Sequence, residues 1–329
     1  MKQNLKKGIK YLVLIAIVAI VGLLSYVSFA LPDVGDPENL TIEITPERVE
    51  RGKYLAHSVN ACMDCHSKRE WTKTAGPIVE GTLGQGGEEF NQELGFPGKF
   101  FAKNITPYAL KDWTDGEIFR AISSGVNKDG KALFPLMPHP NYGKSDREDI
   151  YSIIAYIRTL KPIENKVPES EPDFPMNFII NTIPQKPQFV KIPDQSNTVA
   201  YGAYIFNAAD CFTCHTKQDK GAPLPGMDLA GGFEFKMPGG GVVRSANITP
   251  DKESGIAEWT EEMFVNRFKA YSDSTYKPAD VKPGDFNTVM PWSMYGNMKT
   301  EDLKAIYAYL RTVKPVKNKV EKFSPAQAE

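Results

Sequence analysis

Apolar positions follow three patterns along this chain, and the first is an unbroken run. After MKQNLKKGIK comes YLVLIAIVAIVGLLSYVSFALP, 22 residues with no charge between Lys10 and Asp33. That length spans a hydrocarbon core of ~30 Å as a helix. Lysines before it and acids after it place the N-terminus in the cytoplasm and the remainder outside. A cleaved signal peptide is the competing reading of residues 1–32, with Ser28-Phe29-Ala30 as a small-x-small cleavage site. The run is longer than a usual signal core, which favours a retained anchor. Both readings export the rest of the chain.

The second pattern is helical spacing. Ile150, Ile153, Ile154, Ile157 and Leu160 form an apolar stripe, and Leu303, Ile306, Tyr307 and Leu310 form a second. Ser145-x-x-Glu148 reads as a capping box before the first stripe. Thr114-x-x-Glu117 caps a shorter helix bearing Ile118, Phe119 and Ile122. Thr45-Pro46-Glu47 opens another, with a capping hydroxyl and a proline in the first turn. No run alternates long enough to argue for a sheet, so the predicted fold is all-α.

The third pattern is repetition at a period near 150 residues. RGKYLAHSVNACMDCH (51–66) answers to YGAYIFNAADCFTCH (201–215). Asn-Ile-Thr-Pro occurs at 104–107 and 247–250, and Trp113-Thr114 answers to Trp259-Thr260. Met137-Pro138 answers to Met290-Pro291, and Tyr-Ile-Arg-Thr-Leu-Lys-Pro (156–162) to Tyr-Leu-Arg-Thr-Val-Lys-Pro (309–315). Landmarks kept in one order imply a duplicated domain. The expected organisation is the anchor or signal at 1–32, domains at 45–162 and 198–316, a connector at 163–197 and a tail at 317–329. Pro168, Pro172, Pro175, Pro184, Pro187 and Pro193 make the connector stiff and extended. Its apolar patch, Phe174 to Ile183, is expected to lie against one or both domains.

Charge narrows the partners. The formal net charge is −1, which excludes a strongly basic nucleic-acid binder. Residues 1–32 hold four lysines and no acid, so the remainder carries 35 Lys+Arg against 40 Asp+Glu. A partner with a basic docking patch is compatible with that surplus.

The four cysteines fall in two pairs, Cys62/Cys65 and Cys211/Cys214, each followed at once by histidine, His66 and His215. A two-residue gap is too short to staple an exported fold by disulfides. CxxCH is the spacing of covalent haem attachment: two thiols reach the two vinyl groups of one porphyrin, and the histidine supplies the proximal imidazole. Zinc would need about four ligands per site, and only His57 and His139 remain outside the motifs. A thioredoxin-like pair would need a βαβ context that is lacking. The repeat selects Met137 and Met290 as distal ligands, since they alone among ten methionines occupy equivalent positions. Met237 answers to a phenylalanine, and Met294 and Met298 have no counterparts near Met137. His139 is the rival ligand in the first copy. A ligating histidine gives its other ring proton to a carbonyl. Gly76-Pro77 and Ala222-Pro223 are placed to supply it, or to form ordinary turns. Gly52 and Gly202 are expected to let the first helix cross the last closely, near Tyr156 and Tyr309. Trp113 and Trp259 read as core residues, and His57 as a surface or capping side chain.

Each copy resembles a class I cytochrome c domain: a helix running into CxxCH, a long loop, a methionine before proline, and a terminal helix ending in Tyr-Ile/Leu-Arg. The order Asn-Ile-Thr-Pro, Trp-Thr, Met-Pro, Tyr-Leu-Arg-Thr-x-Lys-Pro is similar to multihaem cytochrome subunits of bacterial membrane-bound alcohol and sugar dehydrogenases. Such subunits often carry three haem domains, whereas this chain has two CxxCH motifs. The resemblance implies two haem c groups, an electron-transfer role without catalysis of its own, and Asn104 and Asn247 near haem propionates. It also implies a dehydrogenase or respiratory complex as donor and an oxidase or soluble cytochrome as acceptor. The haem domains would lie on the periplasmic side of the inner membrane, held by a single N-terminal span. A dihaem cytochrome c peroxidase, which also has two CxxCH domains, is the alternative. It would need an open haem with acid/base groups above it.

Overall fold

The computed structural model describes residues 2–326; Met1 and the last three residues of the expected tail lie outside the described residues. Helix α1 (Lys2–Phe29) is one uninterrupted helix, with none of its apolar window buried. In the first half follow α2 (Pro46–Tyr54), α3 (Cys62–Cys65), α4 (Pro107–Leu110), α5 (Asp115–Ser124), α6 (His139–Tyr142) and α7 (Arg147–Arg158). The connector holds α8 (Met176–Ile179). The second half holds α9 (Thr198–Ala208), α10 (Cys211–His215), α11 (Glu261–Lys269), α12 (Trp292–Tyr295) and α13 (Thr300–Leu310).

Local chemistry sets most of the helix starts. Thr45 Oγ1 accepts from the Arg48 N–H at 3.3 Å, with Pro46 in the first turn of α2. Thr114 and Glu117 form the full reciprocal box on α5, at 3.2 and 2.7 Å. The cap of α7 differs from the expected one. It is Asp146, whose carboxylate accepts from the Glu148 N–H at 2.9 Å, while the buried Ser145 hydroxyl has no partner. A carboxylate is the stronger acceptor at a helix N-terminus, and the helix begins one residue later to use it.

In each half the first helix crosses the last at a glycine. A Cβ on Gly52 would lie 1.8 Å from the Ser152 carbonyl oxygen, and one on Gly202 would lie 1.9 Å from that of Ala305. Only hydrogen fits at either crossing, as the sequence suggested. The helices then pack Leu55, Val59, Ile150, Ile154 and Ile157 in the first half, and Ile205, Leu303, Ile306 and Leu310 in the second. All belong to one continuous apolar core.

The two entry helices differ in one respect. Ten positions separate Gly52 from Cys62, but nine separate Gly202 from Cys211. The second half runs its helix α9 without interruption, whereas residues Leu55–Val59 form a single π turn after α2. A π turn holds one extra residue without breaking the helix. The insertion is thus absorbed before the cysteines, and both motifs leave their helices in the same way. His57 lies in this turn, half-buried, with its Nε2 2.6 Å from the Tyr156 hydroxyl. Phe206 occupies the matching place and packs on Tyr309 with ring centroids 5.0 Å apart. His57 is therefore a packing partner of the last helix and not the surface or capping residue expected.

The expectation of an all-α fold fails. Antiparallel strands β1 (Glu89–Phe90), β2 (Gly98–Phe101) and β3 (Glu171–Pro172) form one sheet in that order. In the second half β4 (Gln218–Asp219) pairs with β5 (Ala222–Pro223), and β6 (Glu234–Lys236), β7 (Val242–Arg244) and β8 (Phe323–Ser324) form the counterpart sheet. Pairing Phe90 with Phe100 and Val243 with Phe323 fixes the registers. Strands of two to four residues are too short to show an alternation, so the pattern could not reveal them. In each half the outer strand comes from chain that follows the last helix, including part of the expected tail. Pro172 is tolerated because β3 is an edge strand.

Reciprocal carboxylates join the halves. Asp149, in the first turn of α7, takes both Arg51 nitrogens at 2.8 and 2.9 Å and the Tyr204 hydroxyl of the other half at 2.6 Å. Asp302, at the same place on α13, takes Tyr201 at 2.9 Å and Tyr54 from the opposite half. Both carboxylates are buried and hydrogen-bonded, as burial of a charge requires.

Replacing Gly52 or Gly202 by alanine should force a helix pair apart and cost about 2–3 kcal/mol, an overpacking penalty that alanine's better helix propensity does not offset. A thermal melt of the purified protein should show the lowered midpoint. Gly22→Ala in α1, where a Cβ would meet nothing within 4 Å, should leave it unchanged.

Candidate functional site

Each CxxCH begins with a left-handed residue. Ala61 (φ 49°, ψ 33°) and Asp210 (φ 51°, ψ 36°) turn the chain sharply from the entry helix into α3 and α10. An alanine in that region is strained by of order 1 kcal/mol, and strain of this kind persists where surrounding structure enforces it. The turn puts Cys62 and Cys65 on one helical turn with His66 at its end, and Cys211, Cys214 and His215 likewise. No disulfide joins the four cysteines. Desolvation pushes the half-buried Cys62 and Cys65 thiols up to about 12.

The histidines are held alike. His66 Nδ1 lies 2.6 Å from the Lys103 carbonyl oxygen, and His215 Nδ1 lies 2.8 Å from that of Ala246. A carbonyl only accepts, so each Nδ1 carries the proton and each Nε2 keeps its lone pair. The carbonyls differ from those expected. Gly76 O is taken by the Arg69 guanidinium and Pro77 O by the Glu70 N–H, while Ala222 and Pro223 are used in β5. Lys103 and Ala246 are instead the residues just before the two Asn-Ile-Thr-Pro segments.

That placement explains the motif. Asn104 Oδ1 accepts from the Thr106 N–H and hydroxyl at 2.9 and 2.8 Å, and its Nδ2 donates to Ile163 O at 2.9 Å. Asn247 binds Thr249 at 2.9 and 2.7 Å and Val316 O at 2.7 Å. Both asparagines are buried staples between the histidine-holding loop and the chain after the last helix. A second pair closes the same loop: Asn165 donates to Gln85 O and Asn318 to Ala230 O, each at 2.9 Å. Gly86 and Gly231 donate to the backbone carbonyls of His66 and His215 at 2.9 and 2.7 Å. The asparagine side chains are thus committed to the protein backbone, a role the resemblance alone did not suggest.

The methionine segments also match. Pro138 (φ −76°, ψ 55°) and Pro291 (φ −78°, ψ 62°) centre inverse γ-turns closed by His139 N to Met137 O at 2.6 Å and Trp292 N to Met290 O at 2.7 Å. Met137 and Met290 are half-buried against the apolar core, as are Cys62 and Cys211. Met63, Met237, Met294 and Met298 are buried filler. His139 is fully buried with its ring against Gly125, its Nε2 lacks a partner, and burial pushes its pKa down to about 4. Its counterpart Trp292 stacks on Tyr271. Trp113 and Trp259 pack on the core, and their carbonyls accept from Arg158 and the Tyr307 hydroxyl at 2.6 Å each.

The two motifs adjoin. Tyr142 donates to Asn60 O at 3.1 Å and Tyr295 to Ala209 O at 2.6 Å, each closing its own left-handed turn. Asn141 reaches across from the first half to the Asp210 carboxylate, and Asn207 donates to Asn141 O at 3.0 Å. Burial pushes Asp210 up to about 6 against the pull of Thr213 and Asn141. The Cys214 thiol, open on one face, is raised first by burial and then by Asp210 and by Cys65 of the other motif. One motif is asymmetric: the buried Asp64 between its cysteines pairs with Arg69, whose guanidinium lies 4.5 Å from the Trp71 ring centre. Among the described residues, no group of three or more His, Cys, Asp or Glu could hold a metal ion alone. Paired thiols beside an imidazole with a free Nε2 fit haem c and leave zinc short of ligands.

A model of the cytochrome c family matches residues 199–314, in the second half of the chain. The chain is 25% identical over 288 residues to the cytochrome c subunit of a quinone alcohol dehydrogenase from Gluconacetobacter polyoxogenes, covering 82% of this chain and 56% of that protein. It is 26% identical over 284 residues to the fructose dehydrogenase cytochrome subunit of Gluconobacter japonicus, covering 80% and 52%. This chain therefore spans little more than half the length of those two subunits. A dihaem c-type cytochrome of Cereibacter sphaeroides is 25% identical over 296 residues, covering 86% and 90%.

Replacing Asn104 by alanine should leave the Ile163 carbonyl and the Thr106 donors without their buried partner, costing about 1–3 kcal/mol. The loosened Lys103 loop should disturb the imidazole of His66 and leave that of His215 alone. Asn247→Ala should do the converse, and proton NMR of the two histidine environments would separate the effects.

Proposed function

We propose that this protein is a dihaem c-type cytochrome that relays single electrons at the outer face of the cytoplasmic membrane. Residues 45–162 and 198–316 form its tandem class I domains and α1 its retained anchor. The observation that carries this reading is the duplication of the whole site. A strained turn, paired thiols, an imidazole with Nδ1 fixed to a carbonyl, and a methionine before a proline γ-turn occur twice in the same order. A haem in each site would supply an iron that cycles between ferric and ferrous states.

The residues have distinct tasks. Cys62 and Cys65, and Cys211 and Cys214, would hold the haem of each site through thioethers, S–H adding across a vinyl group with no net redox change. Lys103 O and Ala246 O orient His66 and His215 and raise their basicity toward iron. Met137 and Met290 would supply thioethers, ligands that favour the ferrous state and raise the potential. The adjoining motifs support transfer between the sites, because Asn141, Asp210, Tyr142 and Tyr295 lock both turns into one rigid cluster. Rigid surroundings keep reorganisation small during a relay.

The relatives' names support a membrane dehydrogenase as donor, with a respiratory complex as the other candidate and an oxidase or soluble cytochrome as acceptor. Those relatives are cytochrome subunits, which supports an electron-transfer component without catalysis of its own. The surplus of acids on the exported part suits basic partner patches. A peroxidase reading gains nothing from His139, whose ring is enclosed beneath Gly125 instead of standing in an open pocket.

If Met137 and Met290 both bind iron, the oxidised protein should show the weak far-red sulfur-to-iron band with intensity for two haems. Replacing either by histidine should remove about half of that band and lower one potential, because a second imidazole favours ferric iron. Replacing Met237, Met294 or Met298 should leave the band intact. Rapid carbon monoxide binding to a ferrous haem of the native protein would mean an open position and would favour the peroxidase.

A further inference from the structure

Residues 174–185 of the connector contain no charged side chain. They form α8 and a following 3-10 turn, Ile180–Thr182, and both touch the C-terminal end of α1. The apolar patch was expected to lie against the domains. Ile180 is buried, but Phe174 is 81% exposed and Ile179 44% exposed, and none of the three joins the apolar core of the domains. Beside them, Phe29 at the end of α1 is 90% exposed. Other parts of the connector behave differently. Phe189 packs on Phe119 with ring centroids 5.3 Å apart, and Gln188 donates to Gly143 O at 2.8 Å.

The depth of this patch follows from the helix it touches. From Tyr11 to Val27 the rise is about 24 Å at ~1.5 Å per residue, so Val27 falls near the outer boundary of a core ~30 Å thick. Val27 also belongs to the last turn, whose carbonyls have no partner within the helix. Ala30 N–H takes Tyr26 O at 2.9 Å, and the Asn181 side-chain amide takes Val27 O at 3.3 Å. Near that boundary water is scarcer than in bulk, and a side chain delivered from the connector satisfies the carbonyl. An exposed phenylalanine and isoleucine on a charge-free turn at the same level have the composition of an interfacial membrane element.

We propose that residues 174–183 form a second membrane contact, dipping Phe174 and Ile179 into the headgroup–acyl boundary beside α1. The inference rests on the reading of α1 as a retained span. Two points of attachment, joined by Asn181, fix the tilt of the haem-binding halves over the bilayer, which a single helix with a flexible exit would not do. The sheet strand β3, immediately before this segment, carries the constraint into the first half through its pairing with β2.

The test places the photoreactive residue p-benzoylphenylalanine at Phe174, at Ile179 and at Phe286 of the full-length protein in its native membrane. Phe286 is 52% exposed in the second half and serves as the reference. Irradiation followed by intact-mass analysis should give phospholipid adducts at 174 and 179 several-fold above the reference. Protein adducts at 174 and 179, or lipid adducts no more frequent than at 286, would overturn the proposal while a retained N-terminus keeps the anchor reading. A mature chain beginning near Leu31 in the same mass spectrum would remove α1, and with it both readings.

Discussion

The contact on which the rest of the molecule depends is the close crossing of the first and last helix in each half. Gly52 against Ser152 and Gly202 against Ala305 let two backbones meet where any side chain would separate them. Dispersion contacts and apolar burial grow steeply with such closeness. From the crossing outward, the entry helix points its C-terminal end at the CxxCH turn, and the last helix returns the chain to the histidine-holding loop. If the crossing opens, the carbonyls of Lys103 and Ala246 lose their registration on the imidazoles.

The polar interactions follow a consistent logic. Several buried polar groups near the motifs are committed to structural partners: Asn104 and Asn247 to the chain after the last helix, Tyr142 and Tyr295 to the turn before each motif. The Nδ1 bonds of His66 and His215 leave each Nε2 with its lone pair. Buried hydrogen bonds of this kind leave the turns little freedom to rearrange. Burial of Asp149 and Asp302 at the junction extends that rigidity across both halves.

Much of this architecture was legible because duplication lets the sequence serve as its own comparison. The matched glycines marked the crossings, Thr45 and Thr114 marked helix starts, and paired CxxCH motifs marked the sites. Other features were visible only in part. One extra residue between Gly52 and Cys62 signalled the π turn, but nothing in a single sequence says whether a loop or a helix absorbs it. Asn-Ile-Thr-Pro was noticed as a repeat, yet its work depends on Ile163 and Val316, distant in sequence. The strands escaped because pairs of two to four residues leave no periodicity. Asp146 displaced Ser145 as a cap because neighbouring acceptors compete, and the carboxylate wins.

The central claim is that both halves, and not the second alone, attach a haem through thioethers to their own cysteine pair. Intact-mass measurement of the mature protein after acid–acetone extraction tests it most directly, with tryptic peptides locating each adduct. The account predicts a polypeptide heavier by two haems, one on the Cys62–His66 peptide and one on the Cys211–His215 peptide. A single adduct on the second peptide, or haem lost to the solvent from either, would contradict it.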